Sequence, residues 1–220
     1  MKHTWLNNSN QNKLILFFNG WGCDEHQFNH LSSQEFDVMM LNDYRELKLA
    51  PEVIAQIKNY DEILLIGWSY GVWIGQHVCE QYCIQIKEGV AVNGTLKPVH
   101  EQFGIAETIV QGTLNNLNER NLMKFQRRML GGNEAWKKFE ADKPQRDFND
   151  QKDELAALIQ HFKSDTSDTT PYQKAFIGSS DMIFLAKNQL DFWKEKATIK
   201  EIDAPHFCFY HFNRWEDIIR

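Results

Sequence analysis

Apolar residues gather in six short runs separated by polar, Gly- or Pro-containing stretches: Leu14 to Phe18, Asp37 to Leu41, Glu62 to Ile66, Gly89 to Asn93, Lys174 to Ile177 and Thr198 to Ile202. Their apolarity is continuous rather than alternating, as expected of strands covered on both faces in a parallel sheet. Helical patterns fall between them at Pro51 to Asn59, Tyr70 to Gln85 and Asn188 to Lys194, and a further helix is expected within Phe207 to Ile219. Strand alternating with helix predicts a doubly wound α/β sheet, with any active site at the carboxyl ends of the strands.

One interval breaks the rhythm. From about Gly104 to Lys163 no strand is expected, only helical segments punctuated by Gly131-Gly132 and Pro144. Such a length is too great for a simple connection and predicts an inserted helical cap over the sheet. The expected division is therefore a core of residues 1–103 and 164–220 with a cap of residues 104–163.

Composition adds little until charge is mapped along the chain. The 42% hydrophobic and 25% charged residues are ordinary for a soluble globular protein, and 220 residues suit one domain with an insertion. Fifteen Phe and seven Trp fit either an apolar pocket or core packing. The net charge of −6 argues against a nucleic-acid partner. No run is long enough to span a bilayer, and the amino terminus turns polar too soon for a secretory signal, so a cytoplasmic location without membrane association is expected. Cys23, Cys79, Cys83 and Cys208 form no zinc or disulfide pattern, and Cys79 and Cys83 are expected on one helix face. Between Arg120 and Arg146, eight basic residues stand against three acidic ones within an otherwise acidic chain. Arg120, Lys124, Arg127 and Arg128 fall at helical spacing, which is either a solvated face or a docking surface for an acidic partner.

The third strand runs directly into Gly67-Trp68-Ser69-Tyr70-Gly71 and a helix. In that setting G-x-S-x-G describes a nucleophile elbow, a serine lifted above the sheet edge on a tight turn. The bland alternative is a βα turn whose serine caps the helix. A serine needs a base and a group that orients the base. Asp181 follows the fifth strand and His206 the sixth, in the Ser, Asp, His order of α/β-hydrolases. Asp203 lies too close to His206 along the chain to orient it easily. Asp43 suits a turn, His211 a packed or surface position, and His26 with His30 lacks a third ligand, so no metal site is expected. An oxyanion hole needs two backbone donors, expected at Tyr70 and, in Asn19-Gly20-Trp21-Gly22, at Trp21. That glycine-rich loop lacks the lysine and spacing of a phosphate-binding motif.

Taken together, Phe17 to Gly22, Gly67 to Gly71, Val92-Asn93-Gly94-Thr95, Phe125-Gln126-Arg127-Arg128-Met129 and the Asp181 and His206 segments resemble the BioG-type pimeloyl-ACP methyl ester esterases of biotin synthesis. The resemblance runs through nearly the whole chain. It implies a compact six-stranded, mainly parallel α/β-hydrolase with an inserted cap, beginning at the strand before the oxyanion loop. It also implies a serine carboxylesterase without cofactor or metal, monomeric, that releases methanol from the methyl ester carried by acyl carrier protein. Ser69, Asp181 and His206 would form the triad and Trp21 and Tyr70 the oxyanion hole. Phe125 and Met129 would touch the acyl chain. Charge complementarity suggests that Arg120, Lys124, Arg127 and Arg128 meet the acidic carrier. Leu185 departs from the helix-starting proline expected after the acid. A broader short-acyl carboxylesterase or thioesterase, and an idle hydrolase fold binding an acidic partner, are the competing readings.

Overall fold

A computed structural model describes residues 1–164 and 169–220. Seven strands form one sheet: β1 (Lys2–Asn7), β2 (Lys13–Phe18), β3 (Asp37–Asn42), β4 (Glu62–Trp68), β5 (Glu88–Val92), β6 (Tyr172–Gly178) and β7 (Thr198–Ile202). Their order is β1-β3-β2-β4-β5-β6-β7, parallel throughout except for β1, which runs antiparallel to β3 at the edge. The six expected strands are present. The seventh, β1, corrects both the strand count and the expectation that the chain starts at the strand before the oxyanion loop. Its Lys-His-Thr-Trp-Leu-Asn sequence is partly exposed, as an edge strand allows, and carries no apolar run to announce it.

Alternation along the buried strands feeds two separate cores. Leu14, Leu16 and Phe18 of β2 face one layer with Met39 and Leu41 of β3, while Ile15 and Phe17 face the other with Val38 and Met40. The first layer is covered by helices: α1 (Pro51–Lys58), α2 (Gly71–Gln81) and α7 (Ala186–Trp193) supply Val53, Ile57, Trp73, Val78 and Trp193. The second is covered largely by aromatic rings. Phe17 lies 5.0 Å from Phe28 and 4.9 Å from Trp215, and Phe28 lies 5.0 Å from Phe209. Much of the high aromatic content is therefore core packing, with large rings burying area on this face of the sheet.

Among the described residues four helices separate β5 from β6: α3 (Glu107–Asn115), α4 (Glu119–Leu130), α5 (Asn133–Ala141) and α6 (Phe148–His161). Asn118 caps α4, its side chain accepting from the Asn121 N–H at 3.0 Å, and Gly131 ends it in the left-handed conformation, φ +71°. Asp147 caps α6 in the same way. These helices share their apolar faces with the sheet: Val110, Leu155, Leu158 and Ile159 join the first core, Met129, Leu130 and Phe139 the second.

Two helical expectations change. The segment from Phe207 onward forms a short 3-10 turn, Phe209–His211, and a four-residue helix, α8 (Glu216–Ile219), rather than one helix. α2 stops at Gln81, so Cys83, with φ +51°, is exposed beyond it while Cys79 is buried within it; all four cysteines are free thiols. Among the described residues no helix is long and apolar enough to cross a membrane.

α2 starts tightly against the end of β2. A Cβ on Gly71 would lie 2.1 Å from the Phe18 carbonyl oxygen and 2.6 Å from that of Asn19. Backbone cannot yield as a flexible side chain does. Gly71→Ala is expected to cost more than about 2 kcal/mol of stability, measured by urea unfolding.

Candidate active site

The strand β4 and helix α2 leave two residues between them, Ser69 and Tyr70. Ser69 has φ +59°, an unusual region for a non-glycine residue that lifts its side chain clear of the sheet. Gly67 makes the turn possible, since a Cβ there would meet the Val72 Cα at 2.7 Å and the Gly71 oxygen at 2.9 Å. The Ser69 N–H donates to the Val92 carbonyl at 2.9 Å, so β5 braces the turn. The bland reading fails here: α2 has no side-chain N-cap hydrogen bond, and the Ser69 hydroxyl instead lies 3.0 Å from His206 Nε2.

His206 stands on the segment after β7 and Asp181 on the turn after β6. His206 Nδ1 is 2.8 Å from Asp181 Oδ2, and both residues are buried. These distances suit the imidazole tautomer in which Nδ1–H donates to the carboxylate and Nε2 accepts from the serine hydroxyl. Asp181 is held from four sides. Its Oδ1 accepts from the Ile183 and Phe184 N–H groups at 2.8 and 3.0 Å, and its Oδ2 from Gln189 Nε2 at 3.0 Å as well as from His206. The Phe184 ring lies nearly parallel to the imidazole, at 7°, with centroids 6.0 Å apart. Leu185, standing where proline was expected, occupies the N-cap of α7 with φ −50° and ψ 130°, and the Asp181 turn forms without it.

A second set of contacts comes from α4. The Phe207 N–H donates to the Met129 carbonyl at 2.9 Å, and a Cβ on Gly131 would lie 2.7 Å from the Pro205 Cβ. The end of α4 is thus laid directly against the segment that carries His206.

The loop after β2 brings Trp21 to the same place. Trp21 and Tyr70 both line the cavity above Ser69, and among the described residues neither backbone N–H has a protein acceptor. The loop is fastened from α6. Trp21 Nε1 donates to the Gln151 carbonyl at 2.7 Å, and the Gly22 N–H donates to Glu154 Oε2 at 3.2 Å. Glu154 is fully buried and also accepts from the Tyr44 N–H at 2.8 Å and from Arg146 at 2.5 Å. Burial pushes its pKa up, against the pull of Arg146 and the two N–H groups. Gln189, Gln151 and Glu154 carry no motif that would single them out in sequence; only their contacts reveal them.

The cavity, of about 130 Å³, is walled mainly by apolar side chains, among them Val110, Phe125, Met129, Leu155 and Ile183. Phe125 packs edge-on to the Trp21 ring at 5.0 Å. Ile109, Met182 and Leu185 rim it and are 57%, 61% and 55% exposed, an unusual concentration of exposed apolar side chains. Arg128, expected only on a docking surface, lines this cavity too. Arg120, Lys124 and Arg127 are exposed on α4, with the Arg127 guanidinium 4.8 Å from the centre of the Trp136 ring.

The remaining candidates lie elsewhere. Asp43, with φ +60°, pairs with Arg45 at 2.7 Å and Arg146 at 3.5 Å. Burial raises its pKa, but Arg45, Arg146 and Lys2 outweigh this and hold it at about 2. Asp203 is exposed, 3.5 Å from Ser179, and His211 is exposed. His30 meets the Phe209 carbonyl at 3.0 Å. Asp24, Glu25 and His26 present donors within 4.8 Å of one another, but Asp24 accepts from the His26 and Gln145 N–H groups and from Gln27, which is helix capping.

Removing the charge that fastens the Trp21 loop tests its dependence on α6. Glu154→Gln is expected to cost about 3 kcal/mol, since Arg146 loses the nearer of its two buried carboxylate partners. It is also expected to lower kcat on a p-nitrophenyl ester with KM nearly unchanged. Urea unfolding and steady-state kinetics read the two effects.

The whole-chain comparisons agree with this architecture. A 33%-identical crystal structure of BioG from Haemophilus influenzae superposes with a TM-score of 0.91 over 99% of both chains. An esterase from Exiguobacterium antarcticum, 13% identical, shares the α/β-hydrolase fold at a TM-score of 0.68 over 95% of this chain and 89% of that one. A Bacteroides fragilis protein described as malonyl-[acyl-carrier protein] O-methyltransferase is 37% identical over 194 residues; these are 88% of this chain but only 39% of that longer protein. The family model described as pimeloyl-ACP methyl esterase BioG matches residues 1–218, and the chain belongs to that family.

Proposed function

We propose that this protein hydrolyses the methyl ester of pimeloyl-ACP, giving pimeloyl-ACP and methanol, with Ser69 as nucleophile, His206 as base and Asp181 as the acid that orients it. The observation that carries the reading is the buried hydrogen-bonded chain Ser69–His206–Asp181 at the base of an apolar cavity, in a member of an esterase family.

The reaction proceeds in two acyl transfers. Ser69 Oγ bonds to the ester carbonyl carbon as its proton passes to His206 Nε2, and Asp181 stabilises the imidazolium. The carbonyl oxygen gains the negative charge, facing the Trp21 and Tyr70 N–H groups. On collapse the C–O bond to the methoxy group breaks, and His206 returns the proton so that methanol leaves. Water then attacks the acyl-enzyme by the same route in reverse, freeing the carboxylate and Ser69.

The same serine could open the thioester at the other end of this substrate, so the cavity decides which carbonyl arrives. Its apolar walls, Phe125 and Met129 included, suit the methylene chain and the small methyl ester. Residues 104–163 act as the cap over the remaining core and exclude water from the chain. The basic residues of α4 support an acyl carrier protein as partner, because that partner is acidic and Arg120, Lys124 and Arg127 are exposed.

Ser69→Ala is expected to lower kcat/KM on the carrier-linked ester by at least about a thousandfold, read as methanol released. Turnover near the wild-type rate removes the nucleophile assignment, and free carrier thiol in place of methanol favours a thioesterase. Arg120→Glu combined with Arg127→Glu is expected to raise KM about tenfold for the carrier-linked ester. A parallel rise for a p-nitrophenyl ester contradicts the docking role.

A further inference from the structure

A second hollow opens between α3 and α4 next to the Ser69 cavity. Ile109, Thr113, Phe125 and Arg128 line both, so the two hollows adjoin. The walls change from one to the other. Where the cavity is mainly apolar, the groove adds Asn116, Asn121 and Lys124. Asn116 Nδ2 donates to the Gly112 carbonyl and Asn121 Nδ2 to the Asn116 carbonyl, at 2.8 and 2.7 Å. Both side-chain carbonyl oxygens remain available as acceptors.

Gly112 also lines this groove, and its position has no steric reason to be glycine. It lies inside α3, and among the described residues no heavy atom beyond its own helix backbone and chain neighbours comes within 4 Å of where its Cβ would stand. Glycine in a helix interior costs about 1 kcal/mol relative to alanine. What its missing side chain provides is space in the groove.

We propose that this groove carries the pantetheine arm of the carrier-linked ester, with Arg128 at the junction donating to the thioester carbonyl. The inference rests on the substrate reading above. A pantetheine arm is slender and carries two amides, each with one N–H donor and one carbonyl acceptor. Asn116 and Asn121 offer acceptors, while Arg128 and Lys124 offer donors. With the methyl ester at Ser69, the acyl chain fills the apolar cavity. The first polar group on the carrier side then emerges where the walls turn polar. The arm leaves along the basic side of α4, toward the surface assigned to the acidic carrier.

Three esters separate the possibilities: pimeloyl methyl ester on carrier protein, the same acyl chain on pantetheine alone, and p-nitrophenyl acetate, whose chain ends short of the groove. Gly112→Phe is expected to lower kcat/KM at least tenfold on both pantetheine-bearing esters and to leave p-nitrophenyl acetate hydrolysis in place. Gly112→Ala should match the wild type on all three. Full activity of Gly112→Phe on both pantetheine-bearing esters overturns the proposal. So does a loss confined to the carrier-protein ester, which would make the groove a protein contact, and so does an equal loss on p-nitrophenyl acetate. Arg128→Met is expected to raise KM on both pantetheine-bearing esters, and an unchanged KM removes the carbonyl contact. If the wild type releases methanol from neither, the substrate reading itself fails, a result distinct from each of these.

Discussion

Asn93 ties together the supports of Ser69, Asp181 and His206. Fully buried just beyond β5, with φ +46°, its backbone N–H donates to the Phe176 carbonyl of β6 at 3.0 Å. Its side-chain oxygen accepts from the Gly178 N–H at 2.7 Å, close to the turn that presents Asp181. Its side-chain nitrogen donates to the carbonyls of Pro205 and His206 at 3.1 and 2.8 Å, and the Trp68 indole donates to that same His206 carbonyl at 3.0 Å. Val92, its neighbour, holds the Ser69 turn. A buried amide with its hydrogen bonds made is stable in one orientation, since each lost partner would leave a desolvated polar group. One side chain thus fixes the spacing between three strand ends that are far apart in sequence.

The Trp21 side of the site has a different support. Its loop hangs from α6, through the Gln151 carbonyl and the Glu154 carboxylate, and Glu154 joins the same loop to the segment after β3 through Tyr44. Such a carboxylate is stable without water only because Arg146 and two backbone donors surround it. The helices between β5 and β6 therefore do more than wall the cavity: one of them sets the position of the Trp21 loop above Ser69.

Much of this was legible from residue patterns, and the exceptions have physical reasons. A serine on a strand-to-helix turn is visible because it requires Gly67 and Gly71, and the strand ends before Asp181 and His206 are visible as buried apolar runs. β1 was hidden because an edge strand needs no apolar run. The helix expected from Phe207 was a misreading of an aromatic segment whose rings pack on the sheet through short turns. Asn93 appeared in a motif without an assigned task and Glu154 in none, because long-range hydrogen bonds leave no periodic trace. Arg128 reads as part of a basic stripe, yet it also lines the cavity, a distinction that depends on how α3 and α4 pack rather than on helical spacing.

Met129 belongs to two systems at once. Its side chain walls the cavity, and its carbonyl anchors the Phe207 N–H beside His206. Whatever pushes α4 outward must also pull on the segment that carries His206. Under the proposed function, size selection and proton transfer thus share one mechanical element: an ill-fitting guest would meet a displaced imidazole as well as a tight wall.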